Sequence, residues 1–332
     1  RLVEGGDHLL AERAASQRPN AELQRRQALD ALPSDSRLLI QDDGQVKIVS
    51  PQLLGRLHLN DPVPMGDEPS PALISLPIQP PPRLLAVTMS GRVALVRWEF
   101  AGQQQGTLER FLPTALEGDE VVSLLPLPNP EDVNANETKS LGLLTSDGRF
   151  KRLPLKDIQE LSGRAATVLT LKAGASLKAA LICHDGADVV LISDIGRVLR
   201  LQAGETNLPL MGKLAQGPIT MRLLPGEQLV TAIAGHVERP TSILLASQTG
   251  RLHWLELTTI RHCKRGDLGE IGWELNSESS SGTERIAAAC LADSLIGVVT
   301  SNGRHGRLKV HEENQLTLKD NESILRLVPL IS

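Results

Sequence analysis

A chain of 332 residues with 41% hydrophobic side chains can bury a sizeable core, but with 2% aromatics and no tyrosine that core must be packed by Leu, Val and Ile. The total of 35 basic and 39 acidic residues, net −4, hides an uneven distribution, and no run of eighteen apolar residues offers a membrane span. Three widely spaced cysteines, Cys183, Cys263 and Cys290, suit neither a disulfide framework nor a CxxC zinc site and are expected as buried thiols.

The first residues, "RLVEGGDHLL", lack the basic and apolar regions of a signal peptide, so a soluble, cytoplasmic protein is expected. The leading residue is Arg rather than Met, which suggests a piece of a longer polypeptide. Residues 7–31, "DHLLAERAASQRPNAELQRRQALDA", are helix-rich and interrupted at Pro19. A helical connector is therefore expected over residues 1–32, entering a β-array over residues 33–332.

That array is announced by a hairpin written six times. In chain order the copies are "RLLIQDDGQVKIVS" from Arg37, "LLAVTMSGRVALVRW" from Leu84, "LLTSDGRFKRLPLKD" from Leu143, "VVLISDIGRVLRL" from Val189, "ILLASQTGRLHWLEL" from Ile243 and "IGVVTSNGRHGRLKV" from Ile296. Their turn glycines, Gly44, Gly91, Gly148, Gly196, Gly250 and Gly303, are spaced by 47, 57, 48, 54 and 53 residues. Glycine suits the place because a tight hairpin turn needs positive φ. Five of the six are followed by Arg, which no turn geometry requires. Further strand candidates between the hairpins, such as "GPITMRLLPGEQLVTAIAG", raise the content of each unit to about four strands. A period near fifty predicts a propeller-like disc of six blades; the alternative is a pair of stacked β-sandwiches with look-alike hairpins.

Charge is concentrated. Residues 1–138 carry 12 basic and 19 acidic side chains, residues 139–226 carry 12 and 7, and residues 227–332 carry 11 and 13. Only the third and fourth repeats are net basic. On an extended strand alternate side chains share a face, so Arg149 and Lys151 are expected to point outward together while Phe150 faces the core, with Arg152 reaching the rim near the strand end. Similar placements are expected for Arg197 and Arg200, and for Arg304, Arg307 and Lys309. A curved row of such cations neutralises phosphates without reading bases, whereas so few aromatics argue against stacking on single strands.

"SLGLLTSDGRFKRLPLKDI" and "LISDIGRVLRLQAGETNLPLMGKLAQGPITMRLLPGEQLV" resemble the C-terminal domain of the DNA gyrase and topoisomerase IV A subunits. The pattern in that family runs from an apolar strand through a Gly turn to a basic strand, then to a Gly-rich loop like "GKLAQGP", which here contains Lys213. The resemblance implies an all-β, six-bladed β-pinwheel with strands exchanged between neighbouring blades. It further implies a non-catalytic domain that binds and bends duplex DNA, presenting it to the catalytic core of the same A subunit, which in turn works with an ATPase B subunit. A nucleoid-associated location, no cofactor and no membrane partner go with this reading. Gyrase carries a box of the form Gln-basic-Arg-Gly-Gly-basic-Gly after its first hairpin; here "QLLGRLHLN", Gln52 to Asn60, stands in that place and the box is absent. The nearest imitation is "CKRGDLG" after the fifth hairpin, where Lys264 and Arg265 are the candidate phosphate contacts and Asp267 opposes them.

No catalytic constellation competes. His253, His262 and Cys263 read as surface rather than as a zinc site, His184 and Asp185 as a turn, and "LMGKLAQG" lacks the spacing of a phosphate-binding loop. The family's cleavage reaction uses a tyrosine nucleophile, and this chain contains none. The rival function is a propeller acting as a protein-interaction platform, since fold alone does not choose among the roles of a propeller.

Overall fold

Each of the six glycine turns closes a hairpin, and each glycine has positive φ, from 75° at Gly303 to 89° at Gly250. The computed structural model describes residues 20–57, 61–66, 70–129, 131, 139–159, 161, 163–236, 239–276, 283–292 and 295–331. In the third hairpin the Gly148 amide donates to Thr145 O at 3.1 Å and the Thr145 amide to Arg149 O at 2.9 Å, a three-residue loop with glycine in the left-handed position. The same pair of bonds recurs at Ser247 and at Thr300.

Each hairpin is the middle of one small antiparallel sheet. In the fourth blade the order runs Leu229–Ala234, Asp188–Ser193, Arg197–Gln202, Glu270–Ile271. The first of these strands follows the hairpin in sequence and packs against its counterparts in blades 3 and 5, Leu177–His184 and Ile286–Leu291. The last belongs to the next repeat, so the outer edge of each blade is finished by its neighbour. Blade 1 takes Gly106–Thr107 and blade 2 takes Ala166–Thr167. In blades 3 and 5 the exchanged segment is reduced to isolated bridges, Arg149 to Ile219 and Arg152 to Leu210 in blade 3 and Arg251 to Gln315 in blade 5. Blade 6 is completed by Val63–Gly66, from the loop after the first hairpin, and a second link joins Ile331 to Ile74. The ring is thereby closed, which the sequence leaves open; its six blades are the number that the glycine period predicts, and the paired-sandwich alternative is set aside.

Packing explains why the strands are so uniformly apolar. Leu143 faces blade 2 with Leu85 and Val87, while its neighbour Leu144 faces blade 4 with Val189 and Leu191. Both faces of a blade are thus covered, and strands such as Phe150–Pro154 and Arg197–Gln202 are buried at nearly every position rather than at alternate ones. Five apolar clusters fill the junctions from blades 1 and 2 to blades 5 and 6.

The predicted N-terminal helix is found over residues 20–30; Pro19 and the residues before it lie outside the described residues. It is not merely polar: Ala28 is buried, and Leu29 and Leu32 pack on the cluster between blades 1 and 2. Among the described residues no helix is long and apolar enough to cross a membrane. Cys183 and Cys290 are buried as expected, but Cys263 is only half-buried, on a loop at the outer edge of blade 4.

Candidate nucleic-acid interface

The basic second strands do not project their charges outward. Lys151 and Arg152 have 0% and 1% relative exposure, and Arg197 has 6%. The expectation that alternation would place Lys151 on a solvent face fails because that edge is roofed by the loop after the fourth hairpin. Lys151 Nζ donates to the carbonyls of Gly212 and Lys213 at 2.7 and 2.8 Å. Arg152 Nε donates to Leu208 O at 2.5 Å, and its other nitrogens meet Asp185 and Glu205. Arg149, half-buried, donates to Gly217 O at 2.8 Å and pairs with Asp147 at 3.1 Å. The lysine and both arginines hold down the neighbour's loop.

Blade 4 repeats the device one step along. Arg197 Nη1 donates to Leu268 O at 2.5 Å and Nη2 to Arg222 O at 2.9 Å, while Nε meets Glu227 at 2.9 Å. Arg200 donates to Leu257 O and Ile260 O at 3.2 and 2.8 Å and pairs with Asp188 at 2.6 Å. In blade 6, Arg304 bonds Met65 O of the closing strand at 3.2 Å and Glu322 at 2.6 Å. The recurrent Arg after the turn glycine therefore has a structural explanation. In blades 4, 5 and 6 it meets a buried glutamate, Glu227, Glu284 or Glu322, just before the strand that follows the hairpin. Burial pushes each of these carboxyls up, but hydrogen bonds, including that from the arginine, outweigh it and hold all three below the usual carboxylate range. Lys151 has no such carboxylate bonded to it. Burial lowers its ammonium to about 8, against a weaker opposing pull from Asp157.

What these buried cations position are loops that carry exposed ones. The loop after the fourth hairpin presents Lys213 and then Arg222; the loop after the fifth presents Lys264 and Arg265. The two loops touch. Met221 bridges Asp267, the Gly266 amide donates to Thr220 O at 2.8 Å, and Arg222 Nε donates to Gly266 O at 2.5 Å. Asp267, expected to repel phosphate, turns its carboxylate into its own loop and accepts the Lys264 amide at 2.9 Å. His262 likewise serves the fold, its Nε2 lying 2.6 Å from Asp188. Elsewhere, Lys309 is exposed but paired with Glu312 at 2.7 Å, and Arg307 is half-buried on blade 6.

Four of the eleven sequence candidates, Lys213, Lys264, Arg265 and Lys309, thus stand exposed. Arg222, outside the sequence candidates, stands exposed beside the fully buried Met221; "ITMRL" carries no signal for it, because alternation does not tell a covered face from a wet one, as Lys151 beside Phe150 shows. The place of the absent box is a short helix, Pro51–Arg56, capped by Ser50 Oγ at the Leu53 amide, and His58 to Asn60 lie outside the described residues. Among the described residues no group of three or more His, Cys, Asp or Glu could hold a metal.

Residues 143–184 and 187–234, which make up most of blades 3 and 4, match the family model described as DNA gyrase C-terminal domain, beta-propeller. Over 138 residues, 38% of the chain, the sequence is 30% identical to the A subunit of DNA gyrase from Granulibacter bethesdensis. Over 172 residues, 49% of the chain, it is 29% identical to the A subunit of DNA topoisomerase 4 from Synechocystis sp.. The chain spans only 15% and 18% of the length of these relatives. In fold it is similar to the C-terminal domain of DNA topoisomerase IV, with a TM-score of 0.66 at 18% identity over 90% of this chain and 93% of that one. A DNA gyrase A C-terminal domain gives 0.64 at 16% identity over 88% and 98%. The resemblance read from the hairpins is borne out: the chain is similar in sequence and in fold to the C-terminal domains of gyrase and topoisomerase IV A subunits.

Proposed function

We propose that this chain, with that similarity as the premise, is a non-catalytic domain of a type IIA topoisomerase A subunit that binds duplex DNA on the outer loops of blades 3 and 4. Phosphates accept hydrogen bonds from Lys213, Arg222, Lys264 and Arg265, and Lys309 adds a weaker contact on blade 6. Arg149, Lys151, Arg152, Arg197, Arg200 and Arg304 act one step back, as the residues that hold those loops in place. The observation that carries the reading is that the two loops bearing exposed cations are hydrogen-bonded to each other and pinned to blades 3 and 4 by buried ones.

Bound along a curved edge, the duplex bends, which costs on the order of 1–6 kcal/mol for 40–90° and is offset by several phosphate contacts. The bent segment is presented to the cleavage core, elsewhere in the same polypeptide, which works in turn with an ATPase B subunit. The domain would follow its DNA to the nucleoid.

Fluorescence anisotropy of a labelled duplex across a salt series tests this. The chain should bind, and replacing Lys213, Arg222, Lys264 and Arg265 by Ala should flatten the slope of log K against log salt by roughly 0.9 for each phosphate left without its cation. An unchanged slope would move the interface elsewhere, and no duplex binding by the intact chain would leave a protein-interaction platform as the better reading.

A further inference from the structure

The junction between blades 6 and 1, which none of the five apolar clusters among the described residues covers, holds a cavity of about 540 Å³, within the 300–1,000 Å³ range of small-molecule sites. Its walls are largely apolar. Leu39, Val49 and Val328 line it from the sheets, and Leu53 and Leu57 from the helix that replaces the missing box and from its C-cap. These two leucines keep 46% and 37% exposure, an unfavourable placement for apolar side chains that a bound molecule would relieve.

The polar part of the lining has one sign. Every ionisable side chain among the described lining residues is basic: Lys47, Arg56, His305 and Arg307. Lys47 gives one proton to Gln41 Oε1 at 2.8 Å and keeps two to donate. His305 Nδ1 is buried with no hydrogen-bond partner among the described residues.

We propose that this seam binds a small amphipathic anion, a medium-chain carboxylate whose hydrocarbon body lies against Leu53, Leu57, Val49 and Val328 and whose head is met by Lys47 and Arg56. The site joins sheet residues of blade 1 to Val63 of the closing strand and Val328 of blade 6, so an occupant ties the ring shut. This inference is independent of where DNA binds.

Calorimetric titration of the intact chain with decanoate below its micelle-forming concentration tests it, with 1-decanol and inorganic phosphate as parallel arms. Decanoate should saturate one site, with decanol and phosphate each about tenfold weaker or worse, equivalent to about 1.4 kcal/mol. The double variant Lys47→Ala, Arg56→Ala should weaken decanoate about tenfold and leave decanol unchanged, while Ala72→Phe, on the cavity wall, should abolish both. Binding of decanoate no tighter than phosphate would mean a plain anion patch, and no tighter than decanol would mean unspecific partition; either overturns the proposal. So does decanoate affinity that survives the double variant, a decisive arm even if Ala72→Phe disturbs the fold, because Lys47 and Arg56 are both exposed.

Discussion

The cations of the hairpin strands and those of the loops that cross them alternate along the chain and end in opposite environments. Lys151, Arg152 and Arg197 are sealed against carbonyls and carboxylates, whereas Lys213, Arg222, Lys264 and Arg265 stand in water. Both sets have the same chemistry. What separates them is whether the neighbouring repeat lays backbone over the strand, and so a basic residue here is either a fastener or a contact according to what covers it.

The contrast predicts different losses. Arg197→Ala should show the largest, about 3–5 kcal/mol in urea unfolding, because it strands the fully buried Glu227 carboxylate. A loss below about 1 kcal/mol would mean that the pair does not hold the blade. Backbone should follow the same rule. Gly196→Ala meets the Trp273 carbonyl of the overlying segment at φ +87°, whereas Gly226→Ala, at φ +78°, faces open space. The first should cost about 2–3 kcal/mol and the second about 1 kcal/mol in the same assay; equal losses would deny the covering segment any role.

Lys151→Met reads the burial of charge through pH. Lys151 loses its proton near 8 in the folded chain and at 10.5 in the unfolded one, so between those values the unfolded state binds more protons and stability rises with pH. Wild type should therefore gain on Lys151→Met as pH goes from about 7 to about 10; parallel curves would show that the ammonium is not buried. The smallest effect on stability belongs to the loops. Lys264→Ala with Arg265→Ala should leave unfolding within about 0.5 kcal/mol of wild type while weakening duplex binding, and a larger stability loss would move both residues into the fastening set.

Much of the fold was legible in the chain. Turn glycines mark the centre of every blade, since positive φ leaves few alternatives, and their period counts the blades. The fate of the strand cations was not legible. Period-two reasoning assumes one wet face, but Leu143 and Leu144 each face a neighbouring blade, and Lys151 lies beneath a loop that arrives some sixty residues later. Local alternation cannot report a cover supplied from the next repeat. The helical start was legible as helix from residue 20, but not its docking through Ala28 and Leu29, which needed the partner surface of blades 1 and 2.

The strand that closes the ring sets a timetable for biosynthesis. Met65, in the strand Val63–Gly66, contacts Arg304 across 239 residues of chain. At 5–20 residues per second, a ribosome takes on the order of ten to fifty seconds to bridge that gap. Throughout it, Val63–Gly66 has no sheet to join and waits as an unpaired edge, open to the same segment of another nascent chain. Blades 2 to 5 can assemble in the order of their synthesis, each finished by the next, but blade 6 cannot. Its docking on blade 1 spans still more chain, since Arg326 pairs with Asp42 across 284 residues, so ring closure should be the slow step of folding.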